Sequence, residues 1–204
     1  MALKLLVDND ALIKLAHWRL LDRLVTTFDA SWEEIGVLAS IGFRARKRDA
    51  KLFRSNEVAD ELASSLTHAG SLDVQDAAIF SRLQEIVGLD AGEVELIAAC
   101  VAAPDSILIT GDKRALEALA QPELEDVAMH LAGRVICVEQ LLVMMADGDS
   151  PAAIIAAVVP FRDIDRAVGC VIGASGCTDQ NFREGMASYI GNLRSRTGAL
   201  LHDG

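Results

Sequence analysis

Acidic residues stand at three places where a chain of alternating strands and helices delivers side chains to one edge of a sheet. Asp8 and Asp10 follow the apolar run at residues 3–7, Glu93 and Glu95 open the apolar stretch at residues 91–103, and Asp112 follows the apolar run at residues 107–110. In open α/β sheets ligands bind outside the carboxyl ends of the strands. Two carboxylates carried there, with Glu93 at the start of a helix between them, make an all-oxygen nest for a hard cation such as Mg or Mn. Imidazole or thiolate would select softer metals. His17, His68, His130 and His202 are scattered, and Cys100, Cys137, Cys170 and Cys177 show no C-x-x-C spacing, so neither a zinc site nor a disulfide framework is expected. Gly169, Gly173 and Gly176 do not follow a strand in the dinucleotide-binding form. Glu93 and Glu95, two positions apart, lie about 200° apart on an ideal helix. Both reach one site only if Glu93 is in the first turn, which Gly92 allows, so Glu93 ranks ahead of Glu95.

The elements that must position these groups follow from periodicity. Residues 3–7 form a short apolar run, interrupted only by Lys4, that predicts a buried parallel strand ending at Asp8. Leu12, Leu15, Ala16, Leu20 and Leu24 predict one helix over residues 11–24. A second strand is expected at residues 35–38, with Ser40 capping a basic helix. Residues 57–66 and 73–86 read as helices. The helix at residues 91–103 is stopped by Pro104, a strand at residues 107–110 ends in Gly111-Asp112, and residues 113–120 resume a helix. Residues 135–138 form the last strand, before a helix from residue 140. Helices separating short apolar strands predict an α/β fold, a three-layer α/β/α sandwich with a central parallel sheet, over residues 1–146. The polar cluster Asp147-Gly-Asp-Ser-Pro151 marks a boundary. Residues 147–204 read as a C-terminal helical extension carrying Phe182, Met186, Tyr189, Ile190 and Leu193 at amphipathic spacing.

Together, Leu-Leu-Val-Asp8-Asn-Asp10, Gly92-Glu93-Val-Glu95 and Thr110-Gly-Asp112-Lys-Arg114 resemble the PIN-domain family over residues 3–138. The resemblance implies metal-dependent endoribonuclease activity, with Asp8 as the first ligand of Mg or Mn, Glu93 and Glu95 as the acidic helix and Asp112 as the last ligand. Asp8, Glu93 and Asp112 would be the catalytic acids. The resemblance also implies a toxin role, an antitoxin partner and a homodimer. One departure is that Arg44 stands where the family usually carries an acid; Glu33 or Glu34 replaces it only if the second strand is misplaced. Two rival readings accompany this one. Leu-Leu-Val-Asp8-Asn-Asp10 also resembles the D-x-D of haloacid-dehalogenase-like phosphohydrolases, in which Asp8 would be a nucleophile. Against that, Ala11-Leu12 follows Asp10 where that family has Gly-Thr. The other rival is a PIN-like binding module without activity.

The net charge of −11 argues against a protein that coats nucleic acid indiscriminately, since such binding relies on Lys and Arg releasing phosphate counterions. Contact with RNA must therefore be local. The residues expected to bind it are Arg44, Lys47, Arg48 and Lys51, which share a face if their stretch is helical, and Lys113 beside Asp112. No apolar run reaches the roughly 18 residues of a membrane-spanning helix, and no secretory segment is read before Asp8. Free thiols in a reducing cytoplasm are the expected setting.

Overall fold

The computed structural model describes residues 2–72 and 76–203. Five strands, β1 (Leu5–Val7), β2 (Ile35–Val37), β3 (Gly70–Ser71), β4 (Ile107–Thr110) and β5 (Val135–Cys137), pair in parallel in the order β3-β2-β1-β4-β5. β1 is central: Leu5 is in register with both Ile35 and Ile107. All three β1 residues are buried, as a parallel strand covered on both faces requires.

Period-two alternation sorts the strand side chains into two cores. Leu5, Val7, Ile35, Val37, Ile109 and Ile136 join one cluster; Leu6, Leu108, Val135 and Cys137 join the other. The first face is covered by α1 (Asn9–His17), α2 (Leu21–Thr27), α3 (Ala39–Arg46) and α4 (Asn56–Ser65). The second is covered by α5 (Ala77–Gln84), α6 (Ala91–Ala102), α7 (Lys113–Leu119) and α8 (Glu125–Leu131). This is the three-layer α/β/α arrangement expected from the sequence.

After α9 (Val138–Gly148), the chain continues through α10 (Pro151–Val158), α11 (Arg166–Ile172) and α12 (Asp179–Thr197). Their Ile154, Val158, Val168, Phe182 and Met186 are buried in the same cluster as Leu5 and Val7. Leu193, Leu200 and Leu201 enter the opposite cluster, and Leu201 makes a parallel bridge to Val135 at the sheet edge. The extension is thus helical, but it ends with one strand-like contact that its sequence does not announce.

Several boundaries differ from expectation, each for a local reason. The single helix expected over residues 11–24 is broken: Trp18, fully buried, donates its indole N–H to the Phe161 carbonyl, and Arg19 takes a left-handed φ of 58°. β3 is two residues long, too short to show a period. The polar cluster expected as a boundary at Asp147 begins inside α9, which runs through Gly148. The helix expected over residues 73–86 is seen as α5, and residues 73–75 lie outside the described residues. Among the described residues, no helix is long and apolar enough to cross a membrane.

Candidate functional site

Asp8 leaves the end of β1 as the N-cap of α1. Its Oδ1 accepts the Ala11 amide at 2.7 Å, and its Oδ2 accepts the Gly111 amide at 2.9 Å and a short hydrogen bond from the Thr110 hydroxyl. Thr110, at the end of β4, also accepts the Asp112 amide at 3.0 Å. One hydroxyl therefore ties the two strand-end aspartates together, which gives the Thr-x-Asp spacing a physical role. Asp112 caps α7, its Oδ1 accepting the amides of Arg114 and Ala115 at 2.7 and 3.2 Å. Glu93 lies in the first turn of α6 in a capping box: Asp90 Oδ1 accepts the Glu93 amide at 2.9 Å, and Glu93 Oε2 accepts the Asp90 amide at 2.6 Å. Gly92 matters here because a Cβ would come within 2.7 Å of a Leu38 methyl.

These caps bring Asp8, Glu93 and Asp112 to one open cleft of about 570 Å³, which Asn9, Asp10, Ser40, Arg44 and Asp90 also line. Burial pushes the Glu93 carboxyl up to about 7; the charges of Asp112, Asp90 and Asp8 add to this and the Asp90 amide opposes it. Burial likewise raises Asp8, which is only 6% exposed, against the hydrogen bonds from Thr110 and Ala11. Among the described residues no Lys or Arg forms an ion pair with Asp8, Glu93 or Asp112. Among the described residues, Oδ2 of Asp112 and Oε1 of Glu93 have no hydrogen bond, and Asn9 Oδ1 is a buried acceptor without a partner.

The fit of this set to a metal can be judged from its donors. Hard carboxylate and amide oxygens carrying uncompensated charge suit Mg or Mn. Yet among the described residues no three His, Cys, Asp or Glu side chains form a group that could hold a metal ion as they stand. Asp8, Asp112 and Glu93 each also accept backbone amides that cap the helices they begin. The chemistry of the donors fits, and their side chains would have to draw together around a cation.

Of the other candidates, Glu95 is half-buried beside the cleft's helix but does not line the cleft, in keeping with its angle from Glu93. Lys113 is held by the buried Glu139 and lies 5.5 Å from the Tyr189 ring, away from the cleft. The shared basic face is not formed. α3 ends at Arg46 with Lys47 as its C-cap, and Arg48 turns left-handed at φ 52°, so Arg48 and Lys51 are off the helix. Arg44 pairs with Asp49 at 2.9 Å and Arg48 with Asp60 at 2.8 Å. Of that group only Arg44 lines the cleft. Ser40 does not cap α3; Leu38 holds the cap position, and the Ser40 hydroxyl instead accepts the Asn9 amide nitrogen at 3.2 Å. Glu33 and Glu34 precede β2, at the amino ends of the strands and therefore at the opposite edge from Asp8.

Asn9, Asp90 and Thr110 were not among the residues expected at the site. Asp90 was legible as the partner of Glu93 in the D-x-x-E capping pattern; nothing local marks Asn9. A further unforeseen feature lies behind the cleft. Lys14, its side chain 7% exposed, pairs with Asp10 at 2.5 Å and with Asp165, the N-cap of α11, at 2.7 Å. Gly111 leaves room for this pair, since a Cβ there would overlap Asp10 and come within 2.9 Å of the Lys14 ammonium.

The raised Glu93 carboxyl makes a testable statement about stability. An acid whose folded value lies near 7 against an ordinary 4.5 favours the folded state below about pH 4.5 and loses that advantage as pH rises towards 7. Because Glu93 is only half-buried, solvent screening holds the effect to about 1–2 kcal/mol. Glu93→Gln is therefore expected to stabilise the metal-free chain at pH 8 and hardly at pH 4, read from urea midpoints; equal effects at both pH values would refute the crowding.

Fold and cleft together define an α/β/α protein with an acidic cleft at the carboxyl edge of a parallel sheet. No family model matches the chain, and no curated protein or solved structure matches it.

Proposed function

We propose that this chain is a metal-dependent endoribonuclease of PIN type. The observation that carries the proposal is the meeting of Asp8, Glu93 and Asp112, from the ends of β1 and β4 and the head of α6, in one cleft without basic partners. Asp8, Glu93 and Asp112, with Asn9 Oδ1 beside them, are the groups that would hold Mg or Mn. Bound there, the cation supplies Lewis acidity and positive charge at the scissile phosphate. The Arg44 guanidinium on the cleft wall faces the same substrate charge. An antitoxin and a homodimer belong to this proposal through the same resemblance, and a cytoplasmic setting through the free thiols.

One observation favours a binding module instead: the acids serve as caps, and among the described residues no ligating group of three is preassembled. The phosphohydrolase reading is weaker, because Asp10, the second acid of its D-x-D, is tied to Lys14. Incubation with single-stranded RNA and Mn tests all three. The nuclease predicts internal cleavage abolished by EDTA. Turnover of a small phosphate ester without RNA cleavage would point to the phosphohydrolase, and metal-independent RNA binding without turnover to the module.

A further inference from the structure

We propose that Phe43 is a base-stacking platform for single-stranded RNA entering the acidic cleft, an inference that rests on the nuclease reading. Ser40 and Arg44, one turn apart on α3, both line the cleft, while Ile41 and Ala45 face the core. Phe43, three positions after Ser40 and next to Arg44, does not itself line the cleft but lies on the adjoining face of the helix with its side chain open: the residue is 58% exposed. Large apolar groups are exposed elsewhere, at Val87, Met129 and Tyr189; the Tyr189 ring also has a cation, Lys113 at 5.5 Å, but that ammonium is already paired with Glu139. Phe43 has Lys47 at 5.9 Å from its ring centre, Arg44 next in the chain and Arg46 three positions on. Arg46 and Lys51 make no ion pair among the described residues.

An exposed ring among cations fits a strand that is both charged and planar-faced. Cations take the phosphates, and the ring takes any base, because every base has a π-face. This also answers a difficulty raised by the net charge of −11 and the broken basic face. Affinity here would depend less on a long phosphate track and more on stacking at one point beside the cleft.

The test uses the full chain in excess EDTA, so that no cleavage occurs, with a fluorescein-labelled oligoadenylate of about ten nucleotides and its abasic counterpart. Phe43→Ala is expected to weaken oligoadenylate binding about tenfold, the loss that accompanies removal of one base–aromatic stack. Phe43→Trp should keep the affinity and add a tryptophan signal that the oligonucleotide quenches. The abasic strand should bind the parent and Phe43→Ala alike, and Val87→Ala should bind like the parent. Parental affinity in Phe43→Ala overturns the platform; if the parent still cleaves RNA with Mn, the nuclease reading survives. If the parent neither binds nor cleaves RNA, both fall. If Phe43→Ala leaves RNA affinity unchanged but turns a dimer into a monomer in sedimentation, the ring serves a protein contact and the platform is likewise rejected.

Discussion

Asp112→Asn is expected to lower Mn-dependent RNA cleavage by on the order of 10³-fold while the chain stays folded. The size follows from the several kcal/mol that a bound metal contributes to phosphoryl transfer, at about tenfold per 1.4 kcal/mol. The fold should survive because an asparagine oxygen can still accept the amides of Arg114 and Ala115, as Asp112 Oδ1 does. Melting should therefore shift by no more than about 1 kcal/mol. Asp8→Asn is the harsher change. Both Asp8 oxygens are acceptors, and an amide nitrogen in place of Oδ2 would face the Gly111 N–H as a second donor. Its loss of activity would be mixed with loss of stability, so Asp112 is the cleaner probe. Unfolded Asp112→Asn would mark the residue as a structural cap, and folded protein with full activity would remove it from the reaction. Since Glu93 must give up its proton to ligate a cation, Mn affinity should also rise with pH through about 7. An affinity flat between pH 6 and 8 would exclude Glu93 as a ligand.

The largest stability effect should come from Lys14→Met. The ammonium is buried between Asp10 and Asp165, and removing it leaves the Asp165 carboxylate, its side chain 9% exposed, without its counter-charge. Breaking one partner out of a buried pair costs about 3–5 kcal/mol. Asp165→Asn placed in the Lys14→Met background should recover part of that loss, because it removes the stranded charge; the coupling is expected at about 0.5–3 kcal/mol. Burial would raise the Asp165 carboxyl, but the charge and hydrogen bond of Lys14 outweigh it and hold the group below its ordinary 3.8. The contribution is thus present above about pH 4 and lost as pH falls through the folded value. Urea denaturation of the four chains at pH 7 measures the cycle. Strict additivity would show that Lys14 and Asp165 do not act as a pair.

What the sequence determined by itself is what neighbouring residues decide. β1, β2, β4 and β5 were legible because a short apolar run needs no distant partner to be recognised. The positions of Asp8, Glu93 and Asp112 were legible for the same reason, since strand end, cap and first helical turn are features of a few consecutive residues. Tertiary structure decided the rest. The break after Trp18 depends on a carbonyl offered by Phe161, far along the chain. The loss of the basic face depends on Arg48 turning left-handed to meet Asp60, a partner that helical spacing cannot reveal. β3 is too short to carry a period and exists because β2 offers it an edge. The extension reads as a plain amphipathic helix, yet Asp165 reaches Lys14 behind the cleft and Leu201 pairs with Val135, because both clusters of the core are completed by its side chains. Charge pairing and core closure are set by which surfaces come together, and that is a property of the folded chain, not of any window along it.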